Sequence, residues 1–213
     1  MSKTTGASRA FVTIVAVIAW LGILLQLWVS AQRSLEAGHT ALAGVLLALC
    51  YNTVLSNILV ALVSSRLALG GASNRLTGSG MLAATAVYIF VVGLIYSLLL
   101  RSQWAPVGVH KLADALLHDV TPILYVLWWL FCAPKGGLKW GAPLKWLIYP
   151  LVYFAASLVA GIRTGHYLYP FGDLSVQGLA TVLRNGALIL LLYLILGTAA
   201  VAVARLASGS TAR

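Results

Sequence analysis

The sequence predicts an all-α integral membrane protein, a compact bundle of six transmembrane helices with both termini in the cytoplasm. Three observations lead there. Of 213 residues, 61% are hydrophobic and only 8% charged, against about 25% charged in an average soluble domain. The apolar residues gather into six runs, each near the ~20 residues that a helix needs to cross a bilayer. Lys and Arg divide unevenly between alternate loops, which sets the orientation.

The first run, Phe11 to Ser30, follows Lys3 and Arg9 and ends in Val29-Ser30-Ala31, a sequence that resembles a signal-peptidase site. A cleaved signal has an apolar core of only about 7 to 15 residues, so this run is expected to stay as the first helix. The others are Thr40 to Val63, Met81 to Leu100, Ala113 to Cys132, Leu144 to Ile162 and Leu179 to Ala204. This gives a cytoplasmic segment over 1–10, a transmembrane domain over 11–204 and a cytoplasmic tail over 205–213. The linkers are too short for a soluble domain, and no internal repeat or low-complexity tract is visible.

The net charge of +10 does not indicate a nucleic-acid partner, because the basic residues are spread over loops and helix ends. Lys3, Arg9, Arg66, Arg75, Lys135, Lys139, Lys145, Arg205 and Arg213 fall on one side, and Arg33, Arg101, Lys111, Arg163 and Arg184 on the other. The richer side is cytoplasmic. Glu36, Asp114, Asp119 and Asp173 lie toward the opposite, outer side with His39, His110, His118 and His166. Cys50 and Cys132 sit in different runs and form no C-x-x-C pair, so neither a disulfide framework nor a thiol-redox centre is expected.

The second run carries Asn52, Thr53, Ser56 and Asn57. Thr53, Ser56 and Asn57 share one helical face at spacings of three and four, and lipid tails cannot satisfy such groups. They are expected to line a polar interior site. The fourth run carries His118-Asp119 and then Thr121-Pro122, and an ionisable group at membrane depth is by default a candidate for function.

At ~1.5 Å per residue, His118 lies about 8 Å below the outer start of its run and Thr53 about 20 Å below Thr40. An outward shift of the second helix reconciles the two depths. The apolar residues Leu67, Ala68 and Leu69 permit it, and Arg66 can reach the interface. At the outer mouth, Arg163 and His166, then Tyr169-Pro170-Phe171-Gly172-Asp173, then Arg184, serve either as interfacial anchors or as a carboxylate clamp built on guanidinium groups. Either arginine is also a partner for Asp173.

Three motifs carry a resemblance: Tyr51-Asn52-Thr53-Val54-Leu55-Ser56-Asn57, His118-Asp119-Val120-Thr121-Pro122, and Tyr149-Pro150 followed by Tyr169-Pro170-Phe171-Gly172-Asp173. With the six-run layout they make the chain similar to the androgen-induced and androgen-dependent TFPI-regulating membrane proteins and their bacterial six-span relatives. The resemblance implies a membrane-embedded threonine hydrolase of lipid esters, notably fatty acid esters of hydroxy fatty acids, working without a cofactor or metal. It carries the threonine to Thr53 and the histidine to His118, and implies membrane lipids and a lipid ester as partners in the cell membrane.

Residue chemistry agrees. A threonine hydroxyl is a weak nucleophile until a base takes its proton, and neutral imidazole suits that role. Asn52, Ser56 or Asn57 would stabilise the oxyanion, and Asp114 or Asp119 would orient His118; Asp114 has the four-residue spacing, while adjacent Asp119 points about 100° away. A transporter, a haem protein and a noncatalytic scaffold compete with this reading. Inverted repeats and paired broken helices are not apparent, no c-type haem motif occurs, and no H-E-x-x-H spacing supports a metal.

Overall fold

The computed structural model describes residues 6–70, 74–103 and 105–210. Lys3 and Arg213, both counted in the basic asymmetry, lie outside them. Among the described residues all regular structure is helical. Six helices are long and apolar enough to cross a membrane: Gly6–Glu36, Asn52–Leu69, Ser79–Gln103, Gly108–Cys132, Ala142–Thr164 and Leu179–Ser208. The chain divides into two compact units, Met1–Gly137 and Leu138–Arg213, where the sequence predicts a single bundle.

In the first unit, α1 (Gly6–Glu36) is followed by the main departure from expectation. The second apolar run forms two helices, α2 (Ala41–Leu49) and α3 (Asn52–Leu69). Tyr51 between them is extended, with φ −79° and ψ 133°. The break falls where an aromatic residue, an asparagine and a β-branched threonine follow one another, all weak helix formers, two of them with side chains that compete for backbone hydrogen bonds. Thr40 starts α2 by accepting the Ala43 N–H at 3.2 Å. A Cβ added at Gly44 would lie 2.1 Å from the Ser30 carbonyl oxygen, so only glycine lets α2 lie this close on α1.

Helix α4 (Ser79–Ile95) runs into a five-residue π turn, Tyr96–Leu100, while α5 (Gly108–Ala115) passes through a second π turn, Leu116–Val120, into α6 (Thr121–Cys132). Proline explains the second turn, since Pro122 has no N–H to offer an earlier carbonyl. Thr121 donates instead to Leu116, five residues back. The Leu117 carbonyl takes a hydrogen from Asn57 Nδ2 on α3 at 3.2 Å. On α4, a Cβ at Gly93 would meet the His118 carbonyl oxygen at 2.9 Å and Pro122 Cβ at 3.3 Å. A glycine at 93 is therefore what allows α4 to reach the backbone of the π turn.

In the second unit, α7 (Ala142–Trp146) leads through Leu147 into α8 (Ile148–Thr164). Gly165 ends α8 in the left-handed conformation, φ 70°, donating to Gly161 at 2.9 Å, a standard glycine termination. Asp173 then caps α9 (Leu174–Gln177), its Oδ1 accepting the Ser175 N–H at 2.9 Å and hydroxyl at 2.6 Å. Asn185 on α10 (Leu179–Ser210) donates to the Phe171 carbonyl at 2.9 Å and so ties this loop to the last helix.

Candidate active site

The break at Tyr51 puts Thr53 in the first turn of α3, and this position decides what its hydroxyl can bond. Thr13, Thr85, Thr164 and Thr198 each donate to the carbonyl four residues earlier at 2.8 Å, the usual local solution for a helical threonine. For Thr53 the residue four back, Leu49, belongs to the preceding helix. Its Oγ1 instead lies 3.3 Å from His118 Nε2. The same break leaves the N–H groups of Thr53 and Val54 without helical acceptors, as in any first turn, and Tyr51 supplies no side-chain cap.

His118 stands in the π turn that precedes α6, a local geometry frequent at functional sites. Its Nδ1 is 3.0 Å from the Asp114 backbone oxygen and 3.1 Å from Asp114 Oδ1. Both of those atoms are acceptors, so Nδ1 carries the proton in neutral imidazole and Nε2 presents its lone pair to the Thr53 hydroxyl. Asp114 is buried, and its Oδ2 accepts the Tyr96 hydroxyl at 2.5 Å. The Tyr96 ring stacks on the imidazole, centroids 3.8 Å apart and planes 15° apart. Thr53, His118, Asp114 and Tyr96 thus form one connected chain of side chains from three separate segments.

The second span is Asn52–Leu69, ending at the Leu69 that the outward shift calls for, with Thr53 in its first turn. The fourth span begins at Gly108, five residues before Ala113, so His118 lies about 15 Å along it at ~1.5 Å per residue. Between the two acids the structure chooses clearly. Asp114 lies beside His118, whereas Asp119 forms an ion pair with Arg101, whose guanidinium also sits 4.8 Å from the Tyr96 ring centroid.

The three candidates for a polar pocket have different surroundings. Asn57 is fully buried and donates through Nδ2 to the Thr53 carbonyl at 2.8 Å and to Leu117 at 3.2 Å. It therefore ties the helix of Thr53 to the turn of His118, with both amide hydrogens engaged and Oδ1 without a partner. Ser56 is buried and Asn52 half-buried. Arg163, His166 and Arg184 belong to the second unit, where all three are exposed. Asp173 engages Ser175 there, and no ion pair from Arg163 or Arg184 to it occurs among the described residues.

Sequence reasoning missed Tyr96, Gly93 and Arg101 as parts of this site. An aromatic residue and a glycine inside an apolar run look like ordinary span residues, and no spacing rule pairs Tyr96 with Asp114 across a loop. Among the described residues no group of three or more His, Cys, Asp or Glu side chains is arranged to hold a metal. The chain matches no protein-family model, no curated protein and no solved structure.

Proposed function

We propose that this chain is a multi-pass membrane hydrolase of lipid esters, with Thr53 as nucleophile, His118 as general base and Asp114 as the acid that orients it. One observation carries the reading: Thr53 Oγ1 stands 3.3 Å from His118 Nε2 while the other ring nitrogen faces Asp114. A nucleophile beside a base that is itself oriented by a third group is the recurring arrangement of covalent hydrolases. The motif resemblance to the androgen-induced membrane hydrolases supports the same pair of residues. Esters of hydroxy fatty acids, or related lipids, are the proposed substrates.

In the proposed reaction, His118 Nε2 takes the Thr53 hydroxyl proton as Oγ1 bonds to the ester carbonyl carbon. The negative charge that develops on the carbonyl oxygen meets the N–H groups of Thr53 and Val54, with Ser56 and Asn52 as neighbouring polar groups. Such preorganised donors contribute about 2.7–4 kcal/mol each where they have been removed by mutation. His118 then gives its proton to the departing alcohol, leaving an acyl-threonine. Water, deprotonated by the same nitrogen, releases the fatty acid and restores the hydroxyl.

The basic asymmetry of the loops supports cytoplasmic termini in a cell membrane, with the outer ends of the second and fourth spans toward the outer leaflet. The deciding experiment exposes the full-length protein in nanodiscs to a panel of lipid esters and to an active-site-directed fluorophosphonate. Wild type turns over at least one ester and is labelled; Thr53→Ala loses both and keeps its thermal unfolding temperature, and Thr53→Ser retains part of the activity. Undiminished labelling of folded Thr53→Ala rejects the nucleophile. A wild type inert toward every ester rejects the hydrolase.

A further inference from the structure

Tyr96 does two things at once that no other side chain at the site does. Its hydroxyl donates to Asp114 Oδ2 at 2.5 Å, and its ring lies flat on His118 at 3.8 Å with an interplanar angle of 15°. Tyr96 is itself buried, 4% exposed, and it stands in the π turn that continues α4, next to the Gly93 contact with the His118 carbonyl. The residue is thus held by its own helix and fixes both the histidine and the histidine's partner.

The alternatives for that ring are limited by what surrounds it. The Nδ1–H of His118 is hydrogen-bonded to the Asp114 backbone oxygen, and Nδ1 lies 3.1 Å from Oδ1 of the same residue. Without a restraint on the carboxylate and on the ring plane, the imidazole can rotate about its side-chain bonds and lose the line from Nε2 to Thr53. A stacked aromatic face blocks that rotation, and a hydrogen bond to the far carboxylate oxygen fixes Oδ1. Arg101 pairs with Asp119 and lies 4.8 Å from the Tyr96 ring centroid, and the hydrogen bond to Asp114 Oδ2 comes from Tyr96.

We infer that Tyr96 is the positioning residue of the Thr53–His118–Asp114 site, setting the plane of His118 by stacking on the imidazole and the position of the Asp114 carboxylate by hydrogen-bonding its Oδ2. It touches no reacting atom. The kinetic part of this inference rests on the hydrolase reading, but the geometric part does not, and the two are separated by choosing one readout that needs no turnover.

The test compares wild type, Tyr96→Phe and Tyr96→Leu as full chains in nanodiscs. In NMR spectra with ¹⁵N-labelled histidine, assigned by His118→Gln, wild type shows the Nδ1–H tautomer and ring protons shifted upfield by the stacked tyrosine. Tyr96→Phe keeps the tautomer and the upfield ring shift but moves the Nδ1–H proton resonance, because the neighbouring carboxylate is freed; Tyr96→Leu loses the ring shift as well. If Tyr96→Leu does not fold, Tyr96→Phe decides alone: an unchanged Nδ1–H proton resonance overturns the inference, as does an unchanged ring shift in folded Tyr96→Leu. In the kinetic arm, kcat for ester hydrolysis falls about tenfold in Tyr96→Phe, the scale of one charge-assisted hydrogen bond, with KM within twofold. A rise in KM at constant kcat assigns Tyr96 to substrate contact and overturns the positioning role. A wild type that hydrolyses nothing defeats the hydrolase reading, and the spectra still decide Tyr96.

Discussion

The two units of the chain are built from similar apolar helices and differ in what they bury. Of the span Ser79–Gln103 in the first unit, 61% of the most apolar window is buried, against 11% for Ala142–Thr164 in the second. The buried polar residues Ser8, Ser56, Asn57, Ser64, Thr85, Asp114 and Thr121 all belong to the first unit. Among the described residues of the second, every buried side chain is hydrophobic or glycine or proline. Burying polar groups costs free energy unless each finds a partner, and at the site Asn57 finds Thr53 and Leu117 while Asp114 finds Tyr96. Hydropathy marks which polar residues interrupt the spans, and the company of their polar atoms tells which of them form a site.

The largest test of that contrast is catalytic. His118→Ala is expected to lower ester turnover by roughly 10² to 10⁴, the range for a positioned general base, whereas Arg163→Ala and Arg184→Ala, both exposed in the second unit, leave kcat within about twofold. Steady-state kinetics on the same ester measure all three. A loss at either arginine as deep as that at His118 would place chemistry in both units and break the comparison.

Next in size is the clamp between helices. Asn57→Leu removes the donor to the Leu117 carbonyl, and an orphaned buried carbonyl costs about 1–3 kcal/mol. Thermal unfolding in detergent should fall accordingly, and labelling at Thr53 with it, because the same amide holds the Thr53 carbonyl. Unchanged stability would show that Asn57 is not what joins α3 to the π turn.

A paired glycine experiment sharpens the point. At Gly93 a new methyl group meets the His118 carbonyl oxygen at 2.9 Å, a backbone atom, while at Gly186 it meets the far end of the Phe154 ring at 2.5 Å. A ring can swing aside; a carbonyl in a helix cannot. Gly93→Ala should cost about 1–3 kcal/mol, the usual penalty of overpacking, and reduce activity. Gly186→Ala should cost less than half of that despite its shorter distance, as read from the two unfolding midpoints.

The smallest effect belongs to the second unit. The hydroxyl and N–H of Ser175 hold the Asp173 carboxyl below the ordinary carboxylate range. A depressed folded value means that the cap contributes above the unfolded pKa and is lost as pH falls through the folded one. Acid titration followed by the Ser175 amide resonance should show this local loss; an Asp173 that titrates at its ordinary value would deny the cap.

Much of this architecture is legible from sequence because lipid-crossing helices announce themselves by length and composition. Thr53, Asn57 and His118 stand out for the same reason, as polar side chains in apolar runs. The break at Tyr51 is less visible: Tyr51, Asn52 and Thr53 are weak helix formers, but the apolar count continues straight through them. Tyr96 could not be picked out, since its role depends on a partner 18 residues away across a loop. The early start of the fourth span at Gly108 was hidden by His110 and Lys111, polar residues that hydropathy reads as loop.

The distance along the chain between Thr53 and His118 has a consequence for biosynthesis. The two residues are 65 positions apart, and at about 5–20 residues per second of synthesis the threonine is made roughly 3 to 13 s before its base. Until the fourth span has entered the bilayer and its π turn has formed against α4, the hydroxyl is as inert as that of any other threonine. On the proposed function, a nascent chain with two or three spans in place sits among the lipids of the membrane without attacking them, and a failed insertion downstream leaves an inert helix.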